Sequence, residues 1–253
     1  MIVDVHTHVF PPRMISVRSE LAAADPGFRA LYGEPAARMA SADDLLSSMA
    51  AAGVDIAVAA GFSWRSPRHA EEHASYLLEV AERSGGSLVA SPPIPALAGP
   101  GSASDEALVR ARLRELRAAG ARGVGELRLD AGTLPVADDD AAARARAVLE
   151  AARAEGLALL AHCTEPVGHD YPGKQGGLSA GAIWRLLGLD PLPGARQPPL
   201  IAAHWGGGLS LYAAMPEVRA LFAAGLLAGG TAGGRALFRA AVFAGRGGAA
   251  PPR

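Results

Sequence analysis

A single cysteine, Cys163, stands in 253 residues, which excludes an intramolecular disulfide and leads us to expect a reduced, cytoplasmic setting. An excess of charge of either sign is missing as well. Lys plus Arg number 24 against 25 Asp plus Glu, so there is no electrostatic case for nucleic acid or an anionic membrane as partner, and a small-molecule substrate is expected. The opening residues carry no basic segment followed by an apolar one, since Asp4, His6 and His8 fall where a secretory signal would be hydrophobic. Apolar stretches such as 156–161 and 200–203 are far shorter than the roughly 20 residues a membrane helix needs, and they read as buried strands.

What is present is an alternation. Half of the residues are hydrophobic, enough for a sizeable core, and short β-rich runs take turns with longer Ala/Leu/Arg segments of helical period. Strands are expected at 2–6, 54–60, 87–91, 121–126, 157–162 and 200–204, with a seventh at 225–231. Ser41 followed by Asp43 and Asp44 opens a helix that Gly53 should stop. Further helices are expected at about 67–83, from Ser104 to near Gly120, and at 139–155, 178–188, 210–223 and 235–244. Residues 11–40 read as a long excursion rich in Pro and Arg. The strand-end spacing is that of βα units, so the expected fold is α/β, a TIM-type (β/α) barrel formed by residues 1–253 as one domain, with 245–253 as a disordered tail. A doubly wound open sheet shares the alternation, but its first turn should carry a Gly-rich phosphate loop, and here that turn is His-Thr-His-Val-Phe-Pro-Pro.

Residues His6 and His8 lie two apart on the first strand, which sets both imidazoles on one face within reach of one cation. Alone, such a tripeptide is as readily an accident of core or surface. Its place at the C-terminal end of a strand changes that, because barrel enzymes gather their reactive groups there, and His162 and His204 occupy the matching ends of strands five and six. Four of the seven histidines in the chain thus fall at strand ends. Glu126 ends strand four, where a carboxylate supplies the hard oxygen that imidazoles lack; the alternative is an ion pair with Arg128 or Arg122.

His169, Tyr171 and Lys174, in the loop after strand five, are candidates for gripping an anionic or carbonyl-bearing substrate, or else an ordinary solvated loop. Phe62, Trp64 and Trp205 adjoin strand ends and either wall the pocket or pack. His69 and His73, four apart and flanked by Arg65, Arg68, Glu71 and Glu72, are expected on a solvated helix face. Cys163 should point away from the site and is not expected to act as a nucleophile.

Asp4-Val-His-Thr-His8 on strand one, Ala161-His162 on strand five and Ala203-His204 on strand six together resemble the amidohydrolase superfamily, most closely its amidohydrolase-related branch, which also contains decarboxylases. The resemblance covers residues 1 to about 244. It implies a divalent metal, zinc above all, as one or two ions held by His6, His8 and His162, with Glu126 in the place that many members give to a carboxylated lysine. It leaves His204 either as a further ligand or as a residue acting on substrate. The implied activity is hydrolysis of a small amide, ester or lactone by activated water, with His204 and Glu126 handling the proton; nonoxidative decarboxylation is the alternative. The family's strand eight ends in a metal-binding aspartate, whereas no Asp follows Asp190 here. The chain is therefore expected to lack the eighth βα unit, and a metal-binding barrel of impaired catalysis is a further alternative. An open edge after strand seven would favour self-association into a homo-oligomer.

Overall fold

The structure, a computed structural model, describes residues 1–94, 103–128, 139–163, 200–204 and 206. The helices expected at 178–188, 210–223 and 235–244, the strand at 225–231, the tail and the question of an eighth unit lie outside these residues.

Successive short strands run parallel, and each of the first four is followed by a return through helix. They are β1 (Val3–His8), β2 (Ile56–Ala60), β3 (Leu88–Ser91), β4 (Gly123–Leu127), β5 (Ala158–Ala161) and β6 (Leu200–Ala202). β1, β2 and β3 pair in that order, as do β4, β5 and β6. Main-chain bonds join the two sets: the Arg122 N–H donates to the Ala90 carbonyl at 3.1 Å, and the Gly125 N–H to that of Pro92 at 3.0 Å. The wall curls, because the side chains of Ala60 on β2, Leu160 on β5 and Ala203 just past β6 meet in one interior cluster. This is the parallel, helix-backed wall of a (β/α) barrel, as the alternation predicts.

The outer face is sealed by helices. Ser41 caps α4 (Ala42–Ala52) in a reciprocal box with Asp44, and Gly53 ends it at φ 67°, a left-handed turn that suits glycine. Leu45 and Met49 of α4, together with Leu77 and Val80 of α5 (Pro67–Arg83), pack on Ala57, Ala59, Leu88 and Ala90. Behind β4 and β5, Leu113 and Leu116 of α6 (Ala103–Ala118) and Val148 and Ala152 of α7 (Asp139–Ala154) cover Val124 and Leu159. Each fully buried leucine contributes about 2 kcal/mol or more, so these layers hold the wall.

The excursion after β1, to which the sequence reading gives no element, is helical. It folds into three short helices, α1 (Pro12–Ser16), α2 (Arg18–Ala24) and α3 (Pro26–Tyr32). Pro12 and Pro26 begin helices, where their missing N–H costs nothing, and Asp25 caps α3 by accepting from the Gly27 and Phe28 N–H groups. Helices this short carry too few turns for a readable period. They bury Met14, Leu21 and Phe28 with Phe10, Phe62 and Trp64, so Phe62 and Trp64 pack, one of the two alternatives the sequence left open.

Candidate metal centre

Two strand irregularities aim the key side chains. The pairing of β1 with β2 slips between Asp4 and Thr7, and there the His6 N–H turns to the Asp4 carboxylate at 3.1 Å. The pairing of β4 with β5 slips likewise between Val124 and Leu127. Both of those residues therefore face the helices while Glu126, between them, turns inward; an extra residue in one strand re-aims a side chain in this way. Gly125 occupies the irregularity at φ 117°, and a Cβ there would strike the Leu160 carbonyl oxygen, so a close backbone approach demands glycine.

Glu126 is the hub. Its Oε2 lies 3.3 Å from His6 Nε2 and 3.2 Å from His8 Nε2. Its Oε1 lies 2.8 Å from His162 Nδ1 and 3.3 Å from His204 Nε2. Each carboxylate oxygen thus faces one pair of imidazoles. His204, just past β6, adopts φ 51°, an uncommon left-handed conformation for a residue with a Cβ and one found at sites where geometry is imposed. Side-chain exposure rises from 3% at His6 to 19% at His204, so the centre opens toward His204 and is closed behind His6.

The donor set fits a divalent cation. The ligand-capable atoms of His6, His8 and Glu126, and those of Glu126, His162 and His204, form two groups in which every atom lies within 4.8 Å of the others. Metal binding needs neutral imidazoles and an ionised carboxylate. Burial drives the His6 imidazole below its ordinary range, toward the neutral form, even though Glu126 pulls the other way. Burial also resists ionisation of Glu126, but attraction to His6 and the hydrogen bonds from His162, His204 and His6 outweigh it and hold the carboxyl well below its usual range. His8 Nδ1 lies 3.1 Å from the Ala60 carbonyl. A carbonyl only accepts, so Nδ1 donates there, which fixes the ring and leaves Nε2 as the atom that faces the centre, the usual support for a metal-ligating histidine.

The structure therefore brings together His6, His8, Glu126, His162 and His204, all named from sequence. Trp205, His169, Tyr171 and Lys174 lie outside the described residues. Glu126 meets these histidines, and the Arg122 guanidinium donates instead to the Gly120 and Ala121 carbonyls. Two expectations concern neighbouring residues. Cys163 is buried with its Sγ on the Ala161 carbonyl at 3.4 Å, and burial, reinforced by Glu126, pushes its thiol up and away from reactivity. His73 corrects the expectation of a solvated helix face: it is 0% exposed, accepting from Trp64 Nε1–H at 3.0 Å and donating to the Val9 carbonyl at 2.8 Å. Its flanking charges sit on the other side of α5, and the buried stripe Ala70, His73, Ala74, Leu77 and Val80 follows the three-and-four spacing that would have revealed it. Ser63 also escaped notice in the sequence, for no pattern marks a serine that bonds to main chain.

Comparison with known proteins bears on the family and the fold. A family model described as amidohydrolase matches residues 3–224. Among curated proteins no sequence match is found. The fold is similar to 5-carboxyvanillate decarboxylase from Sphingomonas paucimobilis, at TM-score 0.57 and 16% identity over 83% of this chain and 69% of that one. It is equally similar to 5-carboxyvanillate decarboxylase from Novosphingobium aromaticivorans, solved with manganese and 3-methoxy-4-hydroxy-5-nitrobenzoic acid, at TM-score 0.57 and 13% identity over 84% and 68%. A 2,6-dihydroxybenzoate decarboxylase from Rhizobium gives TM-score 0.51 and 16% identity over 83% and 68%. With a family match along most of its length and the histidine–glutamate centre at the strand ends, the chain belongs to the amidohydrolase family.

Proposed function

We propose that the chain is a metal-dependent enzyme that removes a carboxyl group, without oxidation, from a small aromatic acid. The observation that carries the metal dependence is the convergence of four imidazoles on the two oxygens of Glu126. The choice of reaction is supported by the similar structures, which are decarboxylases of aromatic acids, one with manganese bound; it is an inference from fold.

His6, His8, Glu126 and His162 would hold the cation, with His204 as a further ligand or as the residue that meets substrate. The imidazole-rich set suits zinc and the carboxylate suits harder ions such as manganese, and Glu126, with a histidine pair on each oxygen, is compatible with one ion or two. When bound, the cation supplies a Lewis acid that draws in and polarises anionic substrate oxygens. The protein's own groups do the rest. In this reading His204, the most open of the four, gives a proton to the ring carbon as the carbon–carboxyl bond breaks, its electron pair stays on the ring and carbon dioxide leaves. Glu126, 3.3 Å from His204 Nε2, orients that imidazole for the transfer. His169, Tyr171, Lys174 and Trp205 complete the reading as substrate contacts, Lys174 for the carboxylate and Trp205 for the ring.

Hydrolysis is the second reading, favoured by the description of the matching family. There, Glu126 or His204 takes the proton of a water that attacks an amide, ester or lactone carbonyl. Product analysis separates the two. With Mn2+ or Zn2+ supplied, hydroxylated benzoates should yield carbon dioxide in equal amount to acid consumed. An opened lactone or cleaved amide without carbon dioxide would favour hydrolysis, and turnover of neither panel by metal-loaded protein would refute both.

A further inference from the structure

The strand end Ala60 and the four residues after it, Gly61-Phe-Ser-Trp64, touch both halves of the centre in turn. Ala60 accepts from His8 Nδ1 at 3.1 Å. Gly61 exchanges two main-chain bonds with β4, its N–H donating to the Gly125 carbonyl and its carbonyl accepting from the Glu126 N–H, both at 2.7 Å. The Ser63 hydroxyl donates to the Glu126 carbonyl at 2.6 Å and accepts from the Arg128 N–H at 3.1 Å, bracketing the residue that carries the carboxylate. The Phe62 N–H, at 3.4 Å, and Trp64 Nε1–H both point at Nδ1 of His73. The other nitrogen of that imidazole donates to Val9, one residue beyond His8.

We infer that Ser63 and His73 are positioning residues for the metal centre, joined through the loop at 61–64 into one frame that sets His8 against Glu126. The inference rests on the reading of the five residues as a metal centre and adds the device that spaces them. β1 and β4 do not pair with each other among the described strands, so direct pairing does not set the distance from His8 to Glu126. The loop does, because it bonds to β4 through Gly61 and Ser63 and to β1 through Ala60 and, by way of His73, Val9. An apolar side chain at position 73 would fill the space, and His73 is already stacked on Phe10 with centroids 5.0 Å apart. It would leave the Trp64 N–H and the Val9 carbonyl without this partner. A hydroxyl at 63 has no packing reason either: its two bonds are both to the main chain around Glu126. Groups that orient ligands in this manner typically change metal affinity by about ten- to a hundred-fold when removed.

The test is Mn2+ binding to the full chain, read by electron paramagnetic resonance as affinity and as the line shape of the bound ion, for Ser63→Ala, Ser63→Thr, His73→Phe and His73→Gln, with thermal unfolding of the metal-free proteins alongside. Ser63→Ala and His73→Phe should each weaken Mn2+ binding about tenfold or more and alter the line shape. Ser63→Thr and His73→Gln, which keep a donor, should recover most of the affinity. A loss of thermal stability by itself leaves the line shape unchanged, so the spectrum separates spacing from mere packing. If either deletion that folds binds Mn2+ with wild-type affinity and line shape, its residue has no positioning role and the frame is wrong. Should the wild-type chain itself bind no Mn2+ or Zn2+, the metal reading fails first and this inference with it.

Discussion

The Nε2 atoms of His6 and His8 stand 2.9 Å apart and face the same oxygen of Glu126. Both residues lie on one strand, two positions apart, and the slip in β1 pairing brings the imidazoles together at its end. His8 is held from its other side, where Nδ1 donates to the Ala60 carbonyl. Under the proposed metal reading, a cation would replace the mutual contact of the two imidazoles and take a lone pair from each Nε2.

Replacing His6 and His8 together by Ala should abolish stoichiometric metal binding and lower turnover at least a hundredfold. Elemental analysis of the purified variant against wild type reads the first, and the substrate panel the second. Retention of one metal per chain would mean that these imidazoles are not ligands.

Glu126→Gln keeps the shape of the side chain and removes its charge, leaving four imidazoles around a neutral amide. Metal affinity should drop by about two orders of magnitude, measured by titration against a competing chelator, since the centre loses its only anionic donor among the described residues.

The strand ends and helix caps were legible because they obey local rules. Ser41 with Asp44 and Gly53 bounds α4 by capping chemistry, and His6, Glu126, His162 and His204 stand at or beside strand ends because period-two runs and βα spacing announce where strands stop. The pairing slips in β1 and β4 were not legible: they arise from how two strands meet, and Gly125 reads as ordinary until the Leu160 carbonyl is beside it. His73 was misread because its sequence neighbours are charged, while burial on a helix depends on residues three and four away.

Gly125→Ala should destabilise the protein by about 2 kcal/mol or more, because a Cβ at φ 117° meets the Leu160 carbonyl. Chemical denaturation measures the loss, and metal affinity should fall with it as Glu126 is displaced. A neutral substitution would show that the backbone has room to move.

Burial lowers the imidazole of His73 to about 4 from its ordinary 6.5, against the raising effect of its bond to Val9. Below pH 6.5 the unfolded chain takes up a proton that the folded chain refuses, so the stability tied to this group is present above 6.5 and is lost as pH falls toward 4. The full difference is worth at most ~3 kcal/mol. Thermal unfolding of metal-free protein between pH 7 and pH 4 should show the decline, and His73→Phe should flatten that part of the curve.

Cys163 should resist alkylation in the folded protein and react only on unfolding, since its thiol is fully buried and burial pushes its ionisation up. Mass spectrometry after iodoacetamide treatment, with and without denaturant, gives the answer; rapid native labelling would contradict the packing around β5.

The centre itself is tested most directly by a crystal structure of the chain grown with Mn2+ and read by anomalous scattering. The account predicts a peak within bonding distance of Glu126 and of imidazoles from His6, His8, His162 or His204. A map in which bound manganese sits elsewhere, or in which these side chains hold none at saturating concentration, would contradict it.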